Sequence, residues 1–235
     1  MTSRELDTDR WAYSRTALAR LALAHEAAYL ADRAAAVVPT KNDAWSHAGE
    51  TVGLAAELVE QAQEVLTRAV LYERQKGTSW EAIGEQLDGI TKQSAHGRYK
   101  EAEQEWKASL AEPFYPAPPG RPRGARLHEA ALEPTPAGRR LDTWTREHLP
   151  RHRDEKHPVT GHLPHLSTAE ELVQVLDSIR HLQETDAGPC ERAAVIERKA
   201  ALLERIAVED GRPECAQQAE EARAYAAVLR QGAQE

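Results

Sequence analysis

The sequence contains few of the residues that mark exported, membrane-spanning or β-rich proteins. Among its 235 residues there are two cysteines, one phenylalanine and one methionine, and no run of about 18 apolar residues that could cross a membrane. Two cysteines cannot form a disulfide framework for a chain of this length, and the acidic, polar start does not resemble a signal peptide. β-Branched residues, which strands favour, are sparse. We therefore expect an all-α, cytoplasmic protein with no membrane segment.

Alanine and leucine recur at helical spacing through the first part of the chain, and this periodicity predicts an N-terminal helical domain, 1–112. Asn42 is a typical helix start, and Gly49 and Gly53 are expected to kink or interrupt the helix that follows it. Thr91 is placed to cap the last helix of the domain. The expected helices are 9–38, 42–76, 80–87 and 91–110.

Residues 113–166 differ in composition from the rest of the chain. They hold ten of the thirteen prolines, six of the ten histidines, nine basic residues and six acidic ones. Because clustered prolines interrupt regular structure, we predict a connecting segment over this range, with short helices at 126–133 and 136–149.

The last part of the chain, 167–235, is expected to form a three-helix unit. Residues 167–171 predict a capping box, in which a serine or threonine is followed three residues later by a glutamate. Pro189 and Pro213 occupy the positions at which proline typically begins a helix. Each helix has an apolar face, and on the first helix it consists of Leu172, Val175, Leu176, Ile179 and Leu182.

The two helices predicted around 78–100 have the features of a helix-turn-helix. Gly84 is a small residue where the helices would cross, and Gly89 is a flexible residue in the turn. The residues expected to face inward are Trp80, Ile83, Leu87, Ile90, Ala95 and Tyr99. The candidate DNA-binding residues, which face outward from the second helix, are Thr91, Lys92, Gln93, Ser94, His96, Gly97, Arg98 and Lys100. Glutamine can read adenine and lysine can donate to guanine in the major groove.

The stretch GTSWEAIGEQLDGITKQSAHGRY resembles the helix-turn-helix of many small bacterial DNA-binding proteins and is similar to region 4 of sigma factors. The resemblance covers residues 60–106 and implies that 91–100 is the recognition helix. One feature departs from the family pattern, which has a single glycine between the leucine and the β-branched residue. In this chain Leu87 is followed by both Asp88 and Gly89, so the turn is one residue longer.

The net charge of −8 is unusual for a protein that binds nucleic acid. The acidity is unevenly distributed, however, with nets of −3 over 1–60, −2 over 61–112, +3 over 113–166 and −6 over 167–235. The proposed recognition helix is locally basic at its start. We therefore expect weak non-specific binding to DNA and an affinity that depends on a few well-placed contacts.

A proline-rich stretch after the recognition helix contains Arg121, Arg123 and Arg126 and no acidic residue. The segment 120–124 is similar to the core of an AT-hook, which enters the minor groove, although Pro119 stands where an arginine precedes the glycine. The alternative is a stiff proline linker with solvated arginines. In either case Arg121 and Arg123 are candidate DNA-binding residues that could contact phosphates.

Five histidines lie between residues 148 and 165, together with two acidic residues. They allow two interpretations, a metal site or a polar loop. The second is favoured because structural metal sites have compact ligand patterns that this segment lacks. We also find no phosphate-binding glycine loop, nucleophile elbow, or kinase or Rossmann pattern. The expectation is that the protein is not an enzyme and uses no cofactor and no metal.

These observations predict a protein that binds double-stranded DNA sequence-specifically, as a transcriptional repressor that acts as a homodimer on a two-fold site. The helices at 11–38 are the first choice for the dimer interface and the acidic C-terminal unit is the second. One alternative is a helical adaptor that binds another protein through the acidic C-terminal helices. Another is an architectural or plasmid-maintenance DNA-binding protein.

Overall fold

The computed structural model describes residues 9–38, 41, 47–116, 124–184 and 187–232. Within these ranges there are nine α-helices, and the only β-type pairing is an isolated bridge between Phe114 and Ala125. The prediction of an all-α fold is therefore confirmed. No helix in the described ranges has the length and apolar character needed to cross a membrane.

The chain divides into two compact units. The central unit is Arg15–Pro164, and the terminal unit combines the described residues 9–14 with those from His165 onward. The six helices of the central unit are α1 (Arg15–Ala35), α2 (Glu50–Gln75), α3 (Trp80–Gln86), α4 (Lys92–Ala111), α5 (Glu129–Leu132) and α6 (Pro134–His148). The terminal unit contains α7 (Thr168–Glu184), α8 (Pro189–Glu209) and α9 (Pro213–Gln231).

The first two helices differ from the prediction at their starts. Instead of one helix over 9–38, a 3₁₀ turn at Asp9–Ala12 belongs to the terminal unit, and α1 begins only after the buried Ser14. The predicted second start, at 42–43, lies outside the described residues. α2 begins directly after Gly49, whose φ of 87° is left-handed, so this glycine precedes the helix and does not interrupt it.

The N-terminal half of α1 supplies much of the core of the central unit. Its buried residues are Ala17, Leu18, Ala19, Leu21 and Ala22. The C-terminal half of α1 and the N-terminal half of α2 form a helical pair that is far more exposed. Part of the first-choice dimer interface is therefore already buried within the chain.

The described residues 125–164 of the predicted connecting segment contain short helices, as expected, but they belong to the central unit and are not a separate connection. They pack against α1 through Leu127, Ala130, Ala137 and Leu141, all of which are buried. The reason is that the prolines of this segment begin a helix: Pro134 lies in the first turn of α6, where proline is tolerated. The expected helices at 126–133 and 136–149 are present as the shorter α5 and as α6.

A polar cluster joins α5 to α1. The side chain of His128 accepts a hydrogen bond at Nδ1 from the backbone N–H of Ala130, and its Nε2 lies 2.6 Å from Glu26 Oε1. The hydrogen bond with His128 holds the pKa of Glu26 below its usual value. Burial, followed by the charge of His128, lowers the pKa of the neighbouring His25.

A buried carboxylate, that of Asp142, holds the loop after α6. Asp142 accepts hydrogen bonds from the N–H groups of Val159 and Thr160, at 2.7 and 3.0 Å, and from the Thr160 hydroxyl at 2.6 Å. Burial raises the pKa of Asp142, but the hydrogen bonds from Thr160 and Val159 outweigh it, and the pKa is lowered. The loop is thus attached to α6 by a charged acceptor with three donors.

The terminal unit has the predicted three helices. Ser167 and Glu170 form the expected capping box, with reciprocal bonds of 3.1 and 3.2 Å, and Pro189 and Pro213 begin α8 and α9. Only part of the apolar face of α7 is buried: Val175 is buried, whereas Leu172 and Leu176 are about half exposed.

The turn at Asp9–Ala12 packs onto the same unit through Trp11. Arg198 of α8 stacks over the Trp11 ring, with its guanidinium carbon 4.7 Å from the ring centroid, and donates to the Trp11 carbonyl oxygen at 3.1 Å. Burial and the charge of Arg10 lower the pKa of Arg198 to about 10. Residues 9–14 were predicted as part of the N-terminal domain, whereas the packing of Trp11 against Arg198 places them in the terminal unit.

Candidate nucleic-acid interface

The end of α2 and the pair α3–α4 share one apolar core. Its buried members are Val70, Trp80, Ile83, Ala95 and Tyr99, with Leu87 and Ile90 packed at the edge. These are the inward-facing residues expected from helical spacing, together with Val70 of α2. The core leaves the opposite surface of α4 uncovered.

The crossing of α3 with the segment after it depends on Gly84. A Cβ atom at this position would lie far inside contact distance of the Ile90 carbonyl oxygen, which is backbone and has little freedom to move. Only glycine fits this approach without displacing the turn. The predicted small residue therefore lies where α3 meets the backbone of the turn before α4.

The turn between α3 and α4 contains two consecutive left-handed residues. Asp88 has a φ of 56° and Gly89 a φ of 71°. Aspartate is one of the few residues other than glycine that adopt this region without a large cost. The additional residue in the turn, relative to the family pattern, is accommodated by this pair.

Both helices have side-chain caps at their N-termini, and the cap at Thr91 is the one that the sequence predicts. The Ser79 hydroxyl accepts a hydrogen bond from the N–H of Ala82 at 3.1 Å, and the Thr91 hydroxyl accepts one from the N–H of Ser94 at 3.2 Å. The Thr91 hydroxyl also donates to Ser94 Oγ at 3.0 Å. Thr91 and Ser94 thus contribute to the start of α4 and are less available to a ligand than was expected.

An arginine of α2 fixes the direction of α4. The Arg74 guanidinium carbon lies 4.7 Å from the Trp80 ring centroid, Nη1 donates to the Thr78 carbonyl at 2.5 Å, and Nε donates to Glu103 of α4 at 3.3 Å. Burial raises the pKa of Glu103, but the hydrogen bond and charge of Lys107 and the charge of Arg74 outweigh it and lower the pKa. Sequence reasoning missed this link because Arg74 and Glu103 lie 29 positions apart, on different helices.

Arg126 does not have the role expected from the sequence. Its Nε and Nη2 donate to the two carboxylate oxygens of Glu105 at 2.8 and 2.9 Å, and Nη1 lies 3.4 Å from Glu112. The guanidinium therefore ties the segment after α4 back to that helix and is not left for a phosphate. The two arginines of the AT-hook-like segment 120–124, Arg121 and Arg123, lie outside the described residues.

The predicted DNA-binding residues of α4 lie together on an exposed surface. All of them, Thr91, Lys92, Gln93, Ser94, His96, Gly97, Arg98 and Lys100, are exposed. Within the described part of the chain, the side chains of Lys92, Gln93, Arg98 and Lys100 make no hydrogen bond or ion pair. His96 lies edge-on to Trp80, with ring centroids 5.4 Å apart.

The direction of each side chain follows from the helical rotation of about 100° per residue. Gln93 and Gly97 lie opposite the buried Ala95 and Tyr99, and Lys92 and His96 lie to one side. The same outward row continues to Glu101 and Gln104, which were not among the predicted site residues. No atom outside the helix backbone lies within 4 Å of a Cβ placed at Gly97, so another molecule can approach the backbone there.

Two of the five clustered histidines, His148 at the end of α6 and His152 after it, have separate partners. His148 stacks on Trp144 with ring centroids 4.5 Å apart, whereas His152 pairs with Glu155 at 2.8 Å. In the described ranges there is no group of three or more histidine, cysteine or acidic side chains arranged to hold a metal ion. The basic surface of α4 is therefore the feature on which a functional proposal can be built.

Comparison with protein-family models, with curated proteins and with solved structures gave no match to this chain.

Proposed function

We propose that the protein binds double-stranded DNA sequence-specifically through α4, and that it acts in the cytoplasm as a transcriptional regulator, most simply a repressor. The observation that carries the proposal is the uncovered face of α4. It presents amide and cationic side chains that have no partner within the described residues, on a helix whose opposite face is buried against α2 and α3. An α-helix fits the major groove, where such side chains read base edges.

The electrostatics of α4 support the same proposal. Lys92, Arg98 and Lys100 are exposed, whereas Glu103 and Glu105 of the same helix are paired with arginines. Cations that are not neutralised by neighbouring carboxylates can contact phosphates or guanine. The net charge of −8 then limits non-specific attraction without preventing specific contacts.

We propose further that two copies of the chain bind together, because one recognition helix reads only a few base pairs. Val52 and Val59 on α2 are 73% and 71% exposed and are seven residues apart, and Ala55 and Ala62 complete a heptad-spaced stripe. This stripe lies on the exposed half of the α1–α2 pair. A second copy packing against it would bring two recognition helices into one assembly.

The proposal is tested by removing two exposed groups from the start of α4. Lys92→Ala combined with Gln93→Ala is expected to weaken binding to a duplex selected from random sequence by about 30-fold or more, since each base contact contributes about 1–3 kcal/mol. Helicity measured by circular dichroism is expected to be unchanged. The matched control, Lys199→Ala with Gln218→Ala, removes the same residue types from exposed positions of the terminal unit.

The measurement is fluorescence anisotropy with the full chain at several salt concentrations. Equal affinity of the double variant and the parent for the selected duplex would contradict the assignment of α4. Failure of the parent to select any sequence would refute the proposal as a whole. It would favour the second candidate, a helical adaptor.

One observation supports the adaptor as a second candidate. Leu172, Val173 and Leu176 form an exposed apolar patch on α7, in the part of the chain that carries a net charge of −6. Exposed apolar patches with a charged surround are typical of protein-binding sites. An architectural or plasmid-maintenance role would use the same face of α4 and differs from regulation only in the biological context.

A further inference from the structure

Glu101 differs from the other acidic residues of α4 in its surroundings. Glu103 is 8% exposed and pairs with Arg74 and Lys107, and Glu105 is held by Arg126. Glu101 is exposed, and the described residues provide it with neither a hydrogen-bond donor nor a cation. No contact among the described residues accounts for this carboxylate.

The position of Glu101 on α4 places it in the middle of the outward row. Gln93, Gly97 and Glu101 are successive residues at a spacing of four, and Gln104 follows three residues later. Such residues share one face of a helix. From Gln93 to Gln104 the row extends about 16 Å along the helix axis, at a rise of about 1.5 Å per residue.

A carboxylate on this face is repelled by DNA phosphates unless it finds a hydrogen-bond donor. In the major groove the donors are the exocyclic amino groups, and the N4 amino group of cytosine is the characteristic partner of glutamate. Guanine and thymine present acceptors at the corresponding positions and would leave the charge unpaired. A glutamate in this row therefore favours a base that presents an amino group, characteristically cytosine, and disfavours sites without one.

We propose that Glu101 is a specificity-determining residue that accepts a hydrogen bond from the amino group of a cytosine in the bound DNA. This proposal rests on the proposed function, since it assigns a base contact to the same face of α4. It also assigns a second role to the carboxylate, which is to weaken binding to unrelated sequences by repulsion from phosphates. A chain with such a residue binds DNA less tightly than its cations alone would allow, but more selectively.

The test compares the parent with Glu101→Gln, which has nearly the same shape and no charge. Duplexes are selected from random sequence with each full-length protein, and affinities are then measured for the selected duplex and for single-base changes in it. The control is Glu60→Gln, which removes one negative charge from an exposed residue of α2. Circular dichroism checks that both variants keep the helicity of the parent.

The parent is expected to select a cytosine at one position and to lose about tenfold or more in affinity when this base pair alone is changed. Glu101→Gln is expected to lose that preference, to keep the preferences at the other positions, and to bind random-sequence DNA more tightly than the parent and the Glu60→Gln control.

Two results overturn the proposal, and they differ in what else they affect. If the parent and Glu101→Gln select the same sequence with equal preference for the cytosine, Glu101 has no role in specificity, although the proposed function stands. If the parent selects no sequence at all, the proposed function is wrong and the role of Glu101 is wrong with it.

Discussion

Two glycines of the α3–α4 pair lead to opposite predictions for the same substitution. At Gly84 an added methyl group meets the backbone oxygen of Ile90, whereas at Gly97 it has no atom outside the helix backbone within 4 Å. Both residues are inside helices, so Gly→Ala gives each helix the same intrinsic gain, about 1 kcal/mol. The difference in unfolding free energy between the two variants therefore measures the cost of the close approach at Gly84.

The size of the effect follows from the atom that is displaced. Overpacking typically costs about 1–3 kcal/mol, and the cost is toward the upper end when the neighbour is backbone that cannot change rotamer. After the helical gain is subtracted, Gly84→Ala is expected to destabilise the protein by about 1–2 kcal/mol. Gly97→Ala is expected to stabilise it by about 0.5–1 kcal/mol. The corresponding changes in Tm are a fall of about 2–8 °C and a rise of about 1–4 °C.

The assay is urea denaturation followed by circular dichroism, because the helical signal does not depend on any one of the five tryptophans. Both variants are compared with the parent at one protein concentration and one pH. If Gly84→Ala proves as stable as Gly97→Ala, the close approach of Ile90 to α3 is incorrect. If Gly97→Ala is destabilised, its surroundings are more crowded than the structure indicates.

Two further predictions concern pH and association. The pKa values of His25 and Glu26 are both lowered in the folded state, so the unfolded chain binds more protons than the folded one. Stability is therefore expected to fall as the pH decreases from about 6.5, the ordinary pKa of histidine, and again below about 4.5, that of glutamate. Urea midpoints of Glu26→Gln measured against pH should show a smaller loss at the lower step, and a profile identical to that of the parent would contradict the assignment. Replacing Val52 and Val59 by lysine is expected to convert a dimer to a monomer in sedimentation experiments. Val228→Lys, at another exposed valine, should leave the dimer intact. A monomeric parent would refute the proposed interface.

The positions of α3 and α4 could be predicted from the sequence because their signals are local. A capping residue, a stripe at spacings of three and four, and a glycine in the turn all act within a few residues of one another. Pro189 and Pro213 predicted two helix starts in the terminal unit for the same reason. Local signals specify where helices begin and which side of each is apolar.

The break before α1 and the packing of residues beyond Gly124 could not be predicted in this way. Trp11 is placed by Arg198, which is far away in the sequence, and His128 is held by Glu26 on another helix. Composition at these positions indicates only polarity and proline content. Whether a proline-rich segment is a linker or a packed layer depends on the surface it meets, and that surface is formed by the fold.

The electrostatics of the candidate site show the same distinction between local and long-range information. Counted along the sequence, the glutamates at 101, 103 and 105 offset the cations of α4. In the structure, Arg74 and Lys107 neutralise Glu103, and Arg126 neutralises Glu105. A carboxylate with a close cationic partner contributes little to the field at a distance. The face of α4 is therefore more positive than the sequence indicates. Glu101 is the acidic residue of this helix that has no cationic partner among the described residues, and its charge can act on a ligand.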